Sequence, residues 1–268
     1  MHLFIVSVIV LAVLFSALAA DPANEWELAP KRLRLPGALR IVSEGLAHDD
    51  EFWYLNSKHV LFKTKLIPSD SKKDPEMEII SSNKKLIPDE LKDQGYNHVG
   101  DIDVDKDRGI IFGGFEWSAS SPGVIACWNS TTLDFISYSN TDQKGMPWVA
   151  FDVKTQTLYS TAWNDKTQLQ SYNIVQNEDL TFSFPFKEAV MPAEGQELPG
   201  EIQGAAFDPA DPGAIYLAVN GEAVHRMDLK SGDVRLVLQD EAYKHHKYEM
   251  EGKLTLYWWC LVTCRVVH

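Results

Sequence analysis

The chain has 268 residues, of which 45% are hydrophobic and 24% charged, a balance that excludes a disordered polymer and is long enough for one large domain. Lys and Arg number 25 against 38 Asp and Glu, a formal net charge of −13. Phosphate backbones and anionic lipid surfaces are therefore repelled, and nucleic acid is excluded as a first partner while cations are favoured.

The first segment reads as an export signal. Leu3 to Leu18 is an apolar run broken only by Ser7 and Ser16, and Ala17-Leu18-Ala19 supplies the small-x-small pattern of a cleavage site. A retained anchor needs roughly 20 apolar residues, and the acidic, Pro-containing Asp21-Pro22 arrives too soon. The sequence predicts a signal peptide over 1–20, a single domain over 21–268, no membrane span after cleavage, and a secreted, extracellular location.

Next comes the first of four units that share one layout: a short apolar stretch ending in Asp, a turn, then an aromatic and β-branched strand. It reads EGLAHD to Asp49, followed by EFWYLNS. A polar insertion between Ile67 and Asn97 contains Pro68, Pro75 and Pro88, and predicts a strand around Met77 to Ser81 with loops on either side. Asp89 to Lys92 is the one weak helix candidate, since no stretch holds a period of 3.6 for long. The second unit, GDIDVD to Asp105 and RGIIFGGF, leads into a strand pair over 123–139. PWVAFD to Asp152 and QTLYSTAW form the third, followed by QLQSYNI and LTFSFPF. QGAAFD to Asp208 and GAIYLAVN form the fourth, followed by a strand pair over 223–238 whose turn is Lys230-Ser231-Gly232-Asp233.

The anchoring aspartates recur at a spacing of roughly 50 residues, and a period of that size built only of strands predicts the blades of a β-propeller. Each terminal Asp is expected to cap its tight turn by accepting backbone N–H bonds. Phe112, Tyr159 and Tyr216 recur where one blade meets the next. A polar stretch over 243–248 precedes a fifth opening at Glu251-Gly252, and a metal pair of His245 and Glu249 is weighed there against a solvated loop. The tail Lys253 to His268 lacks the turn chemistry of the earlier units, and a shortened product whose last blade is incomplete is expected.

Export permits one disulfide among Cys127, Cys260 and Cys264, and the pairing stays open: in a strand, the last two sit about 13 Å apart. Asn129-Ser130-Thr131 is the single N-x-S/T acceptor, which makes Asn129 the candidate glycosylation site and requires its turn to face solvent. No G-x-S-x-G elbow, H-E-x-x-H helix, P-loop or G-x-G-x-x-G occurs. Trp117, Trp148 and Trp163 fall near strand ends, either lining a binding surface or packing adjacent blades.

With EGL at 44–46, NHVGDIDVD at 97–105 and AFDP at 206–209, the chain over roughly 38–252 resembles the secreted six-bladed, TolB-like propellers, the superfamily that includes gluconolactonase and paraoxonase enzymes. The resemblance implies an all-β fold of four-stranded blades, six in the ring, with the C-terminal part incomplete here. It also implies calcium at the channel, held by a first-blade Glu and by Asn or Asp on later blades. Glu44 matches the first of these. The later positions depart, with Trp148 and Gln203 where channel Asn or Asp belong, and Asp101, Glu201 and Glu251 as the nearest acidic alternatives. The metal candidates are thus Glu44, Asp101, Gln203 and Glu251, weighed against groups that face a water-filled tunnel.

His98 precedes Asp101 on the same strand, and an imidazole beside a channel carboxylate is the candidate general base. Its alternative is a hydrogen bond to a loop carbonyl. Two functions follow: a secreted binding module for an extracellular protein, glycan or small molecule, or a calcium-dependent lactonase- or esterase-type hydrolase. The first is preferred, because only one channel ligand matches.

Overall fold

The computed structural model describes residues 44–67, 76–116, 121–209, 211–219 and 223–239. Four antiparallel sheets of four strands follow one another along the chain. The first holds β1 (Gly45–His48), β2 (Trp53–Asn56), β3 (Leu61–Ile67) and β4 (Glu76–Asn83); a short helix, α1 (Asp89–Asp93), then leads to the second sheet of β5 (His98–Asp105), β6 (Ile110–Glu116), β7 (Pro122–Asn129) and β8 (Phe135–Lys144). The third begins with β9 (Ala150–Asp152), β10 (Thr157–Ser160) and β11 (Leu169–Asn173). A separate hairpin, β12 (Val175–Gln176) with β13 (Phe182–Ser183), interrupts it before its outer strand, β14 (Phe186–Val190). The fourth is β15 (Ile202–Phe207), β16 (Ala214–Val219), β17 (Ala223–Asp228) and β18 (Val234–Gln239).

In each sheet the strands run in chain order from the innermost outwards, and β1, β5, β9 and β15 lie beside one another. That is the arrangement of propeller blades, and the described residues form four of them. The outer strand of the third blade is a correction to the sequence reading: LTFSFPF supplies the inserted hairpin and its exit, while Phe186–Val190 completes the sheet.

Alternation along each strand sends neighbouring residues to opposite faces, so both faces of a blade are buried and its apolar runs are nearly continuous. On β6, Ile111 and Phe115 enter the layer between blades one and two, and Ile110 and Phe112 enter the next layer. On β10, Leu158 joins that second layer and Tyr159 the third. Phe112 meets Phe151 and Phe184, and Tyr159 meets Phe207, at ring separations of 5.6, 5.9 and 5.4 Å. The expected blade-to-blade role of Phe112 and Tyr159 is therefore observed. Trp148 is fully buried in the third layer and packs blades together. Around α1, Leu86, Ile87 and Leu91 plug the first layer.

Turn chemistry follows the anchoring aspartates. Asp49 Oδ1 accepts from the amides of Glu51 and Phe52, Asp105 Oδ1 from Asp107 and Arg108, and Asp152 Oδ1 from Lys154. The inserted hairpin is tied to the second blade: Ser137 Oγ accepts from Phe182 N at 2.8 Å and donates to Phe182 O at 3.1 Å, and Ser139 Oγ accepts from Phe184 N. Cys127 is a buried thiol, while Cys260 and Cys264 lie outside the described residues, as do the signal segment, Trp117, the 243–248 stretch and the fifth opening. Among the described residues no helix is long and apolar enough to cross a membrane.

Candidate functional site

All four inner strands start at the same end of the molecule, where Glu44, Gly100, Pro147 and Gln203 hold equivalent places in the repeat. Two glycines let the blades close on one another there. A Cβ on Gly100 falls 1.9 Å from the Pro147 carbonyl oxygen, and one on Gly45 falls 2.7 Å from both Asp101 Oδ1 and Ile102 N. Only hydrogen fits at these contacts, which draws the second blade against the first and the third against the second.

The pairing of β5 with β6 slips between Val99 and Ile102, so Gly100 and Asp101 form a bulge; β15 slips against β16 at the matching place, between Ile202 and Gly204. Bulges re-aim side chains. Simple alternation places Asp101 opposite in direction to His98, and the bulge overturns that expectation. His98 Nε2 lies 2.6 Å from Glu44 Oε2 on the first blade, and Asp101 Oδ1 also reaches the first blade, accepting from Leu46 N at 3.2 Å while it accepts from Ile102 N at 3.0 Å. The Asp101 amide turns the other way and donates to Pro147 O at 3.0 Å.

Glu44 is 2% exposed, and the His98 side chain 18%. The carboxylate is thus shielded, and the imidazole beside it is partly exposed. Asn56, at the end of β2 and in register with Gly45, donates through Nδ2 to Val99 O and Gly100 O at 3.3 and 3.0 Å. Its Oδ1, Trp148 Nε1 and Gln203 Nε2 are buried with no hydrogen-bond partner among the described residues. Such atoms cost about 1–3 kcal/mol each unless a water, an ion or a ligand satisfies them.

Deeper along β5, Asp103 Oδ2 accepts from Phe151 N on the third blade and Oδ1 from Val104 N, both at 2.7 Å. Burial pushes this carboxyl up to about 7, against the pull of its two backbone donors. At the far end, burial holds His48 down at about 4.

Of the residues singled out from sequence, Glu44, His98 and Asp101 are brought together. Gln203 occupies the equivalent place on the fourth blade, Glu201 is exposed with its amide on Trp163 O, and Glu251 lies outside the described residues. Asn56, Gly45 and Gly100 were missed. A lone amide closing the aromatic strand WYLN was the available signal for Asn56.

Calcium takes six to eight oxygen ligands. Among the described residues one Glu44 oxygen meets an imidazole nitrogen, one Asp101 oxygen accepts from two amides, and no group of three or more His, Cys, Asp or Glu that could hold a metal is assembled.

By its radial four-stranded sheets the protein is a β-propeller. No family model matches the chain, and no curated protein matches it. Among solved structures it is similar to one described as a luciferin-regenerating enzyme, at 13% identity and a TM-score of 0.47 over 75% of this chain and 76% of the other.

Proposed function

We propose that the protein is a secreted propeller-type binding module that seats a polar ligand at the end where its inner strands begin. The observation that carries this reading is the Glu44–His98 contact of 2.6 Å, which joins two blades and sets a shielded carboxylate behind a partly exposed imidazole. The buried, unpartnered polar atoms of Asn56 and Gln203 at that same end support it. A second reading draws on the same contact: a carboxylate that orients an imidazole is what a general base needs, which makes His98 the base of an ester- or lactone-hydrolysing site.

The six-bladed ring remains our proposal for the complete architecture. Leu46, Leu55, Phe62 and Met77 on the first blade, and Tyr216, Ala218 and Val224 on the fourth, are buried yet belong to none of the three described apolar layers. Those residues lie on the first and last of the four described blades, where the next blades of a ring would pack.

A thermal-shift panel of sugars, glycans, lactones and calcium, with a chelator control, separates these readings. A ligand at 100 times its Kd stabilises the fold by about 2.7 kcal/mol, or roughly 5–10 °C for a domain of this size. The binding reading predicts a shift that Glu44→Gln abolishes, with no turnover of lactones or aryl esters. Turnover lost in His98→Gln makes the protein a hydrolase instead. A calcium shift removed by Glu251→Gln makes Glu251 a ligand of the ion.

A further inference from the structure

We infer that Asn129 carries an N-linked oligosaccharide, placed at the end of the propeller opposite the proposed ligand mouth. The sequon Asn129-Ser130-Thr131 closes β7 and begins the turn into β8. Asn129 Oδ1 accepts from Thr131 N at 2.8 Å and Thr132 N at 2.9 Å, so the oxygen end of the amide is engaged and the nitrogen end points away from the turn. Nδ2 has no hydrogen bond among the described residues and is not one of the buried unpartnered atoms. Thr131 and Thr132 are exposed.

The turn is fastened from beneath. Ser130 N donates to Gly109 O at 2.8 Å, Ser130 O accepts from the buried Lys63 Nζ at 3.1 Å, and Leu133 O accepts from Asn83 Nδ2 at 2.8 Å. Lys63 in turn sits 3.9 Å from the centroid of Phe52. Every one of these anchors lies on the protein side of the turn, so a sugar on Nδ2 projects outwards and displaces none of them. Chain direction fixes the end: β7 finishes beside the 106–109 turn, where β5 has already run the length of the blade from His98. A glycan there leaves Glu44 and His98 open.

The co-reactant is a lipid-linked oligosaccharide pyrophosphate. Nδ2 forms a bond to C1 of its first sugar, the bond from C1 to the pyrophosphate oxygen breaks, the lipid pyrophosphate leaves, and the amide proton passes to a base of the transferase. No oxidation or reduction is involved. The inference rests on the export half of the proposed function, because the transferase acts in the secretory pathway.

The test is expression of the full chain with its own first residues in eukaryotic cells, followed by separate recovery of medium and cytosol. Secreted protein is expected to run one discrete electrophoretic step slower than after peptide-N-glycosidase, which converts Asn129 to Asp in the peptide that contains it. Thr131→Ala removes the step and Thr131→Ser keeps it, and both preserve the Asn129 turn. Secreted wild type with Asn129 unmodified overturns this site alone. Chain confined to the cytosol and unmodified overturns the site and the export reading together.

Discussion

Replacing Gly100 with Ala probes the convergence of the blades. The added Cβ falls 1.9 Å from Pro147 O and 2.7 Å from Pro147 C, both backbone atoms of the next blade, so no side-chain rotation relieves the clash. Overpacking of this kind costs typically 1–3 kcal/mol. Separation of the blades also breaks the 3.0 Å bond from Asp101 N to Pro147 O, worth about 1 kcal/mol. A loss of about 2–4 kcal/mol lowers Tm by roughly 4–16 °C at this chain length. Thermal melts followed by tryptophan fluorescence report it directly, because Trp148 is buried immediately after Pro147. Gly195→Ala is the matched control: its Cβ meets nothing within 4 Å, and its φ of +80° leaves only a backbone strain of about 1 kcal/mol. Equal losses from the two substitutions would refute the close approach at Gly100.

Two further perturbations test the inter-blade contacts. The folded state holds the Asp103 proton up to about pH 7 against an ordinary value of 3.8, so it binds more proton than the unfolded chain in between. Stability from this group is therefore complete at low pH, falls as pH rises from about 4 to about 7, and is level above; the gap bounds the effect at about 4 kcal/mol. Urea unfolding of Asp103→Asn is expected to lose that part of the wild-type slope, and an unchanged difference between pH 4 and pH 8 counts against it. Ser137→Ala removes the hydroxyl that both accepts from and donates to the Phe182 backbone, at about 1–3 kcal/mol. Faster amide exchange at Phe182 and cleavage near the exposed Leu180 are expected, and unaltered exchange would separate the hairpin from that clasp.

The blade pattern was legible because a propeller repeats one local device. Asp49, Asp105 and Asp152 cap turns by short-range bonds, and the strand runs around them carry the period of a sheet. Even the brief helix at Asp89–Asp93 and the strand through Met77 were visible, since both depend on neighbours in sequence. The site was legible only as residue types. Glu44 and His98 are on different blades, so their contact is set by how the blades pack, and the turn of Asp101 towards the first blade follows a bulge at Gly100–Asp101 that alternation does not foretell. Asn56 escaped for the same reason: a strand-end amide gains meaning only when Gly45 opposite it has no side chain. The β12–β13 hairpin misled the strand assignment because LTFSFPF carries strand composition, while β13 pairs only within its own hairpin and is held by serine hydroxyls of the second blade.

The Glu44–His98 contact is the point on which the proposed site turns, and a double-mutant cycle of Glu44→Gln and His98→Gln by urea unfolding measures it. An interaction energy between about 0.5 and 3 kcal/mol is expected for two groups in direct contact. Additivity within about 0.3 kcal/mol would show that the first two blades do not bring this carboxylate and imidazole together.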